Sequence, residues 1–286
     1  MAKDAFHVTY PDRVTSPVVV ASPHSGRDYP WSFQRRSVLD AHTIRSSEDA
    51  FVDLLFDAAP QFGAPFIKAG APRAFVDLNR SCDELDPAVI EGVSRHGHNP
   101  RIASGLGVIP RVVAGGRSIY RGKIPLAEAQ HRIETYWRPY HTALQGLLDA
   151  AHRLHGQAVL IDCHSMPHEA MDGVARGGMS RPHVVLGDRF GAAASGDVVD
   201  RVEAAFAAAG FVVTRNAPFA GAYITQAYGR PSRGQHAVQV EIDRSLYMDE
   251  ARITPRPDFE EVRARLRGVL ADIAQIGQGR VPLAAE

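Results

Sequence analysis

Two hydrophobic periods divide this chain. Unbroken apolar runs recur at "PVVVAS" (17–22), "APFIKA" (64–69), "RAFVDLN" (73–79), "QAVLIDC" (157–163), "HVVLGD" (183–188), "GFVVTR" (210–215) and "AVQVEID" (237–243). A strand with one wet face alternates apolar and polar residues, so these runs predict strands covered on both faces. Helical spacing fills the intervals. "SSEDAFVDLLFDAAPQFG" (46–63) predicts a helix with Ser46 and Ser47 as candidate caps, acids in its first turn, Phe51, Leu54, Leu55 and Ala58 inward, and an end at Pro60–Gly63. A longer helix spans 125–156, with Pro125 at its first position, a stripe from Ile133 to Leu154, and a kink at Pro139. Two more are expected at 195–210 and 258–277. Strands alternating with helices imply an α/β fold: one domain over residues 1–286, with a central mixed, mostly parallel sheet flanked by helices. Residues 81–122 and 165–182 break the pattern and read as long loops, the first passing over one edge of the sheet.

Composition narrows the class. Thirty-two basic residues balance 32 acidic ones, so neither a nucleic-acid-binding surface nor an acidic tail is indicated. Cys82 and Cys163 stand in no Cys-x-x-Cys pair, which argues against a disulfide framework and a thiolate metal site and fits a reducing cytoplasm. The first residues, "MAKDAFHVTYPDR", lack the apolar core of a signal peptide, and no apolar stretch is long enough to span a membrane. Neither nucleic acid nor a membrane is therefore an expected partner. Histidine is the informative residue: there are 13, some in turns just after apolar runs.

In an open α/β sheet, ligands bind beyond the carboxyl ends of the strands. His24 follows "VVVASP", Asn79 and Arg80 follow "AFVDL", His164 follows "VLIDC", and Glu241 lies in "AVQVEID". Glu48 and Asp49 stand at the predicted start of the helix after the first of these runs. Two imidazoles and a carboxylate are a donor set that holds a catalytic zinc and leaves a position for water. Each residue also has an ordinary reading: a turn histidine, a helix-capping acid, a surface ion pair. Glu241 is the hardest to read that way, because a buried carboxylate needs a partner.

Seven segments, among them "SPHSG", "SEDAFVDLLFDAAPQFGAP", "RAFVDLNR", "LIDCHSMP" and "GAYITQAYGRPSRGQHAVQVEIDRSLYMDE", occur in an order that resembles the N-formylglutamate amidohydrolases from about residue 17 to 250. "DLNR", "DCHS" and "QVEI" are the most specific of them. The resemblance implies a fold akin to the zinc carboxypeptidases and aspartoacylases. It also implies a reaction, hydrolysis of N-formyl-L-glutamate to formate and L-glutamate late in histidine degradation. It implies one zinc ion on His24, an acid at the start of the helix that follows, and His164. Asn79 and Arg80 would grip the substrate's terminal carboxylate, and Glu241 would be the general base. Many members read Thr-Asp-Trp where this chain reads Glu48-Asp49-Ala50. Aligning the helix puts their Asp on Asp49, with Glu48 as the rival ligand and other N-acyl amino acids as rival substrates.

On that basis Arg73 is a candidate to stabilise the oxyanion, and Arg121 or Arg230 to hold the side-chain carboxylate. Asp162 is either a partner of His164 or structural. Two other readings are a carboxypeptidase or another N-acyl amino acid amidohydrolase, and a metal-dependent sensor of acidic amino acids that would not need Glu241.

Overall fold

A computed structural model of the protein describes residues 4–94, 99–174 and 181–277. Seven strands form one mixed sheet in the order β1-β3-β2-β4-β7-β5-β6: β1 Phe6–Thr9, β2 Val18–Ser22, β3 Phe66–Ala69, β4 Ala158–Met166, β5 Val184–Gly187, β6 Val213–Arg215 and β7 Gln235–Asp243. β2 runs parallel to β4, β4 to β7 and β5 to β6, while β5 runs antiparallel to β7. The fold is α/β, as the sequence pattern implies.

The chain divides into two compact units. The second (Val8–Ser22, Phe51–Ile67, Leu144–Glu286) contains β2, β4, β5, β6 and β7. Every residue of β2, β4 and β5 is buried, and all of β7 beyond Gln235. Helices α2 (Val52–Leu55) and α7 (Tyr223–Tyr228) pack on β4, α6 (Gly196–Ala208) on β5 and β6, and α8 (Phe259–Ile273) on α6 and α2. The inward residues expected for α8, from Phe259 to Ile273, are buried.

The first unit (Met1–His7, Pro23–Ala50, Lys68–Ala143) is largely loop. It holds the short helices α1 (Trp31–Arg36) and α3 (Pro100–Ala103), then α4 (Leu126–Arg132). A π turn at Ile133–Trp137 leads into α5, Arg138–His155. The helix does not break at the expected kink: it runs from Leu126 to His155, and a π turn stands directly ahead of Pro139, which has no N–H to give to the preceding turn. Pro125 caps α4 from outside rather than opening it.

Two expected elements are different. The helix over 46–63 is only α2 and a 3-10 turn at Ala59–Phe62. Phe51 has φ +66°, which no α-helix contains, so residues 46–50 are a turn and Asp49 stands before the helix. "RAFVDLN" is no strand: Phe75 and Val76 both bond back to Pro72 O, and the buried apolar side chains hang from consecutive turns. Of the long loops, residues 95–98 and 175–180 lie outside the described residues.

Candidate metal centre and active site

In the first unit the loop after β2 turns tightly against residues 70–71. A Cβ on Gly26 would stand 2.1 Å from Ala71 O, so only glycine fits there. Asp28 N donates to Gly70 O, and Asp49 N donates to His24 O at 3.1 Å. His24 itself is buried, and both ring nitrogens face carboxylates. Nε2 lies 2.7 Å from Asp77 Oδ1 and Nδ1 lies 3.3 Å from Asp49 Oδ2. Asp77 also accepts from Asn79 N and from Arg73 at 2.9 Å. Burial opposes its ionisation, but the charges of His24, Arg73 and Arg80 outweigh that and hold its carboxyl well below the usual range. An ionised Asp77 can only accept, so Nε2 carries the proton and Nδ1 is the ring's second donor atom. Nδ1 and the Asp49 carboxylate oxygen, 3.3 Å apart, favour positive charge between them, whether a proton on the ring or a metal ion.

Glu48 and Asp49 stand in different surroundings. Glu48 accepts from Arg45 Nε and Nη2 at 3.0–3.2 Å and from the Tyr29 hydroxyl at 2.5 Å. Asp49 faces His24 and lies 3.8 Å from Arg73 Nη1. Glu48 is therefore engaged by its own unit, and Asp49 is the acid beside the imidazole.

The Asn79–Arg80 turn is pinned through its carbonyls. Trp137 Nε1 donates to Arg80 O at 2.9 Å, and His141 Nε2 lies 2.9 Å from Leu78 O. The π turn ends at Trp137, whose ring lies on His141 with centroids 4.0 Å apart. Burial pushes the His141 pKa down to about 4, so its neutral ring donates to the carbonyl. Arg80 is buried and gives Nε to Leu106 O and Nη1 to Asn79 O. It forms no ion pair with a carboxylate among the described residues. Burial lowers its pKa. A buried guanidinium that makes no direct ion pair, with the Asp77 charge acting on it only at longer range, is suited to an anionic ligand.

In the second unit the register of two parallel strands does the placing. Asp162 pairs with Gln239 and His164 with Glu241, so these four side chains share one face of the sheet. All four are buried. Asp162 Oδ2 lies 3.0 Å from His164 Nε2, and neither Asp162 oxygen accepts an aligned hydrogen bond among the described residues. Such a carboxylate needs positive charge on or through the imidazole. Gln239 Nε2 donates to Glu241 Oε1 at 2.9 Å. On α7, burial raises the Tyr228 pKa, with Tyr223 and Asp162 adding to the effect.

β2 and β4 are neighbours, with Ala21 opposite Asp162, so His24 and His164 each lie three and two residues beyond that pair. His24, Asp49 and His164 each offer one ligand atom, all within 4.8 Å of one another. Two imidazoles and a carboxylate suit zinc or a similar divalent ion. The buried Asp49–His24 contact and the orphaned oxygens of Asp162 fit a cation there.

Other expected residues fall elsewhere. Arg73 is spent on Asp77 and Asp49, with its side chain one-fifth exposed. Arg121 is exposed in the loop after Tyr120. Arg230 is exposed too and bonds to Gln235, the first residue of β7. Glu241 lies six residues further along β7, about 20 Å at ~3.3 Å per residue, so Arg230 stands at the wrong end of the strand to share a ligand with it. Asp77 and Gln239 went unnoticed in the sequence. The signal was there for both: a charged residue inside "AFVDL", and an amide two positions before the glutamate on its own strand face.

A family model described as N-formylglutamate amidohydrolase matches residues 16–248. A protein named N-formylglutamate deformylase from Pseudomonas aeruginosa is 31% identical over 274 residues, covering 92% of this chain and 95% of its own length. One of the same name from Pseudomonas putida is 30% identical over 253 residues, covering 86% and 87%. The crystal structure of an N-formylglutamate amidohydrolase from Ralstonia eutropha JMP134 superposes with a TM-score of 0.88 at 33% identity, covering 95% of this chain and 97% of that one.

Proposed function

Since the chain belongs to the N-formylglutamate amidohydrolase family, we propose that it hydrolyses the formyl amide of N-formyl-L-glutamate, or of a similar N-acyl amino acid, to formate and the free amino acid. The observation that carries this reading is the buried group His24, Asp49 and His164, with Glu241 opposite His164 in the strand register. Those three residues would hold a zinc ion, which would supply Lewis-acid polarisation of the formyl carbonyl and of water. Asp77 and Asp162 would orient the two imidazoles through Nε2.

The remaining work falls to the chain. Glu241 accepts the proton of the attacking water and returns it to the departing amine nitrogen. Arg80, with Asn79 beside it, holds the substrate's terminal carboxylate, and its burial with no direct ion pair among the described residues supports that role. Arg73 steadies Asp77 and Asp49 rather than the developing oxyanion. We place the reaction in histidine degradation and in the cytoplasm. Cys82 and Cys163 are not disulfide-bonded, and no helix among the described residues is long and apolar enough to cross a membrane.

Formate release from a panel of N-acyl amino acids, with and without chelator, tests the reading. The expected result is a preference for formylglutamate that the chelator abolishes and added zinc restores. Turnover that ignores the chelator would remove the metal from the reaction, and hydrolysis of acetyl or peptidyl substrates in preference to formyl ones would change the substrate class.

A further inference from the structure

A long, flexible carboxylate on a strand is a poor general base unless something fixes its plane, since its terminal torsion has no strong preference. Glu241 is fixed by a neighbour that no reactant needs to touch. Gln239 stands two residues earlier on the same face of β7, and its Nε2 donates to Glu241 Oε1 at 2.9 Å. Its own oxygen accepts from Ala222 N at 3.1 Å. The orientation of this amide is unambiguous. A backbone N–H can only donate, so the oxygen must face Ala222 and the NH2 group must face the carboxylate.

Ala222 is itself held in place. It immediately precedes α7, and the two residues before it lie against the end of β5. A Cβ on Gly187 would stand 2.6 Å from Gly221 N and 2.7 Å from Ala220 C. Gly221 has φ +106°, open to glycine alone, and Arg189 N donates to Ala220 O at 2.8 Å. The chain from β5 through Ala222 and Gln239 to Glu241 is continuous, and its side-chain members are buried.

We propose that Gln239 is the positioning residue for Glu241: it transmits the fixed Ala222 amide to the carboxylate, sets the plane in which Glu241 meets the attacking water, and keeps the carboxylate in its accepting form. This rests on Glu241 being the general base. Gln239 touches neither substrate nor metal in this assignment, so its loss acts on turnover rather than on binding.

Four proteins carried through purification with their metal test it: Gln239→Met, Gln239→Glu, Glu241→Gln and the Gln239→Met/Glu241→Gln double variant. Met matches the volume and removes both hydrogen bonds. Glu keeps the acceptor for Ala222 N–H but replaces the donor by a second carboxyl that competes with Glu241 for a proton, so it lowers turnover at neutral pH and moves the pH profile upward, and it preserves the fold if Met does not. The expected result is a fall in kcat of about 10- to 100-fold in both Gln239 variants with KM within about twofold, the size of effect a small misplacement produces. The double variant should then be no slower than Glu241→Gln alone. Wild-type kcat in both Gln239 variants overturns the proposal. So does a rise in KM at constant kcat, or a loss that multiplies in the double variant, since each means that Gln239 acts elsewhere than on Glu241. Failure of the underlying reading looks different: Glu241→Gln itself would then keep its activity.

Discussion

His24 and His164 each have a carboxylate oxygen beside Nε2, at 2.7 and 3.0 Å, brought there in two unlike ways. The His164 side is made of strands. Its partner Asp162 is two residues away on the same strand, and Glu241 arrives opposite it because two buried strands run parallel in one register. The His24 side is made of loops. Its partner Asp77 is 53 residues away, and the pair is kept together by Arg73, the Asn79 amide, a glycine pressed against a carbonyl, and the Trp137 and His141 bonds behind the next turn. A strand register is set by burial along its whole length, so it needs few local props. A loop has no such ladder and must be fastened atom by atom, which multiplies the residues whose loss would be felt.

The largest expected effect lies on the strand side. Glu241→Gln should retain the metal and lower formate release by roughly 100- to 10,000-fold. Activity within tenfold of wild type, measured alongside elemental analysis, would dismiss Glu241 as the base. Next comes acid stability on the loop side. The pKa of His141 falls from 6.5 to about 4 on folding, so the unfolded chain binds the extra proton between those values. Stability from this group is full above about pH 6.5, declines as pH falls, and has lost at most about 3 kcal/mol below pH 4. Urea melts at pH 7 and pH 4.5 should show the decline, and His141→Gln, which keeps a donor for Leu78 O without a proton to gain, should flatten it.

The two orienting acids come third and test the comparison directly. Asp162→Asn and Asp77→Asn should each weaken metal binding about 10- to 100-fold. Asp77→Asn should be the worse of the two, because Asp77 also anchors Arg73 and the Asn79 amide. Competition with a chromogenic chelator ranks them, and equal losses would mean that the loop props do not depend on Asp77. The smallest effect is expected at Arg80. Arg80→Lys keeps the charge but not the planar fork, and KM for formylglutamate should rise about tenfold with kcat little changed.

What the sequence alone determined is the sheet and its contents. Unbroken apolar runs such as 18–20, 158–161 and 184–186 have nowhere to go but a covered sheet, and polar residues at the ends of such runs mark where a ligand can sit. That His164 and Glu241 lie on buried strands was readable for that reason. The 46–63 helix and the 73–79 strand were not readable correctly. Leu55 and Ala58 are buried as the pattern says, but Phe51 and Leu54 are only half-buried and Val52 and Phe56 take their places in the core; hydrophobic period reports burial only roughly and backbone shape not at all, and at Phe51 and Pro72 the backbone turns instead of continuing as regular structure. Only the tertiary structure put Asp49 rather than Glu48 beside His24, joined Asp77 to His24, set Gln239 between Ala222 and Glu241, and sent Arg230 to the far end of β7. Each of those facts is a contact between residues that the one-dimensional pattern leaves unrelated, decided by which buried donor finds which acceptor once the chain has closed on itself.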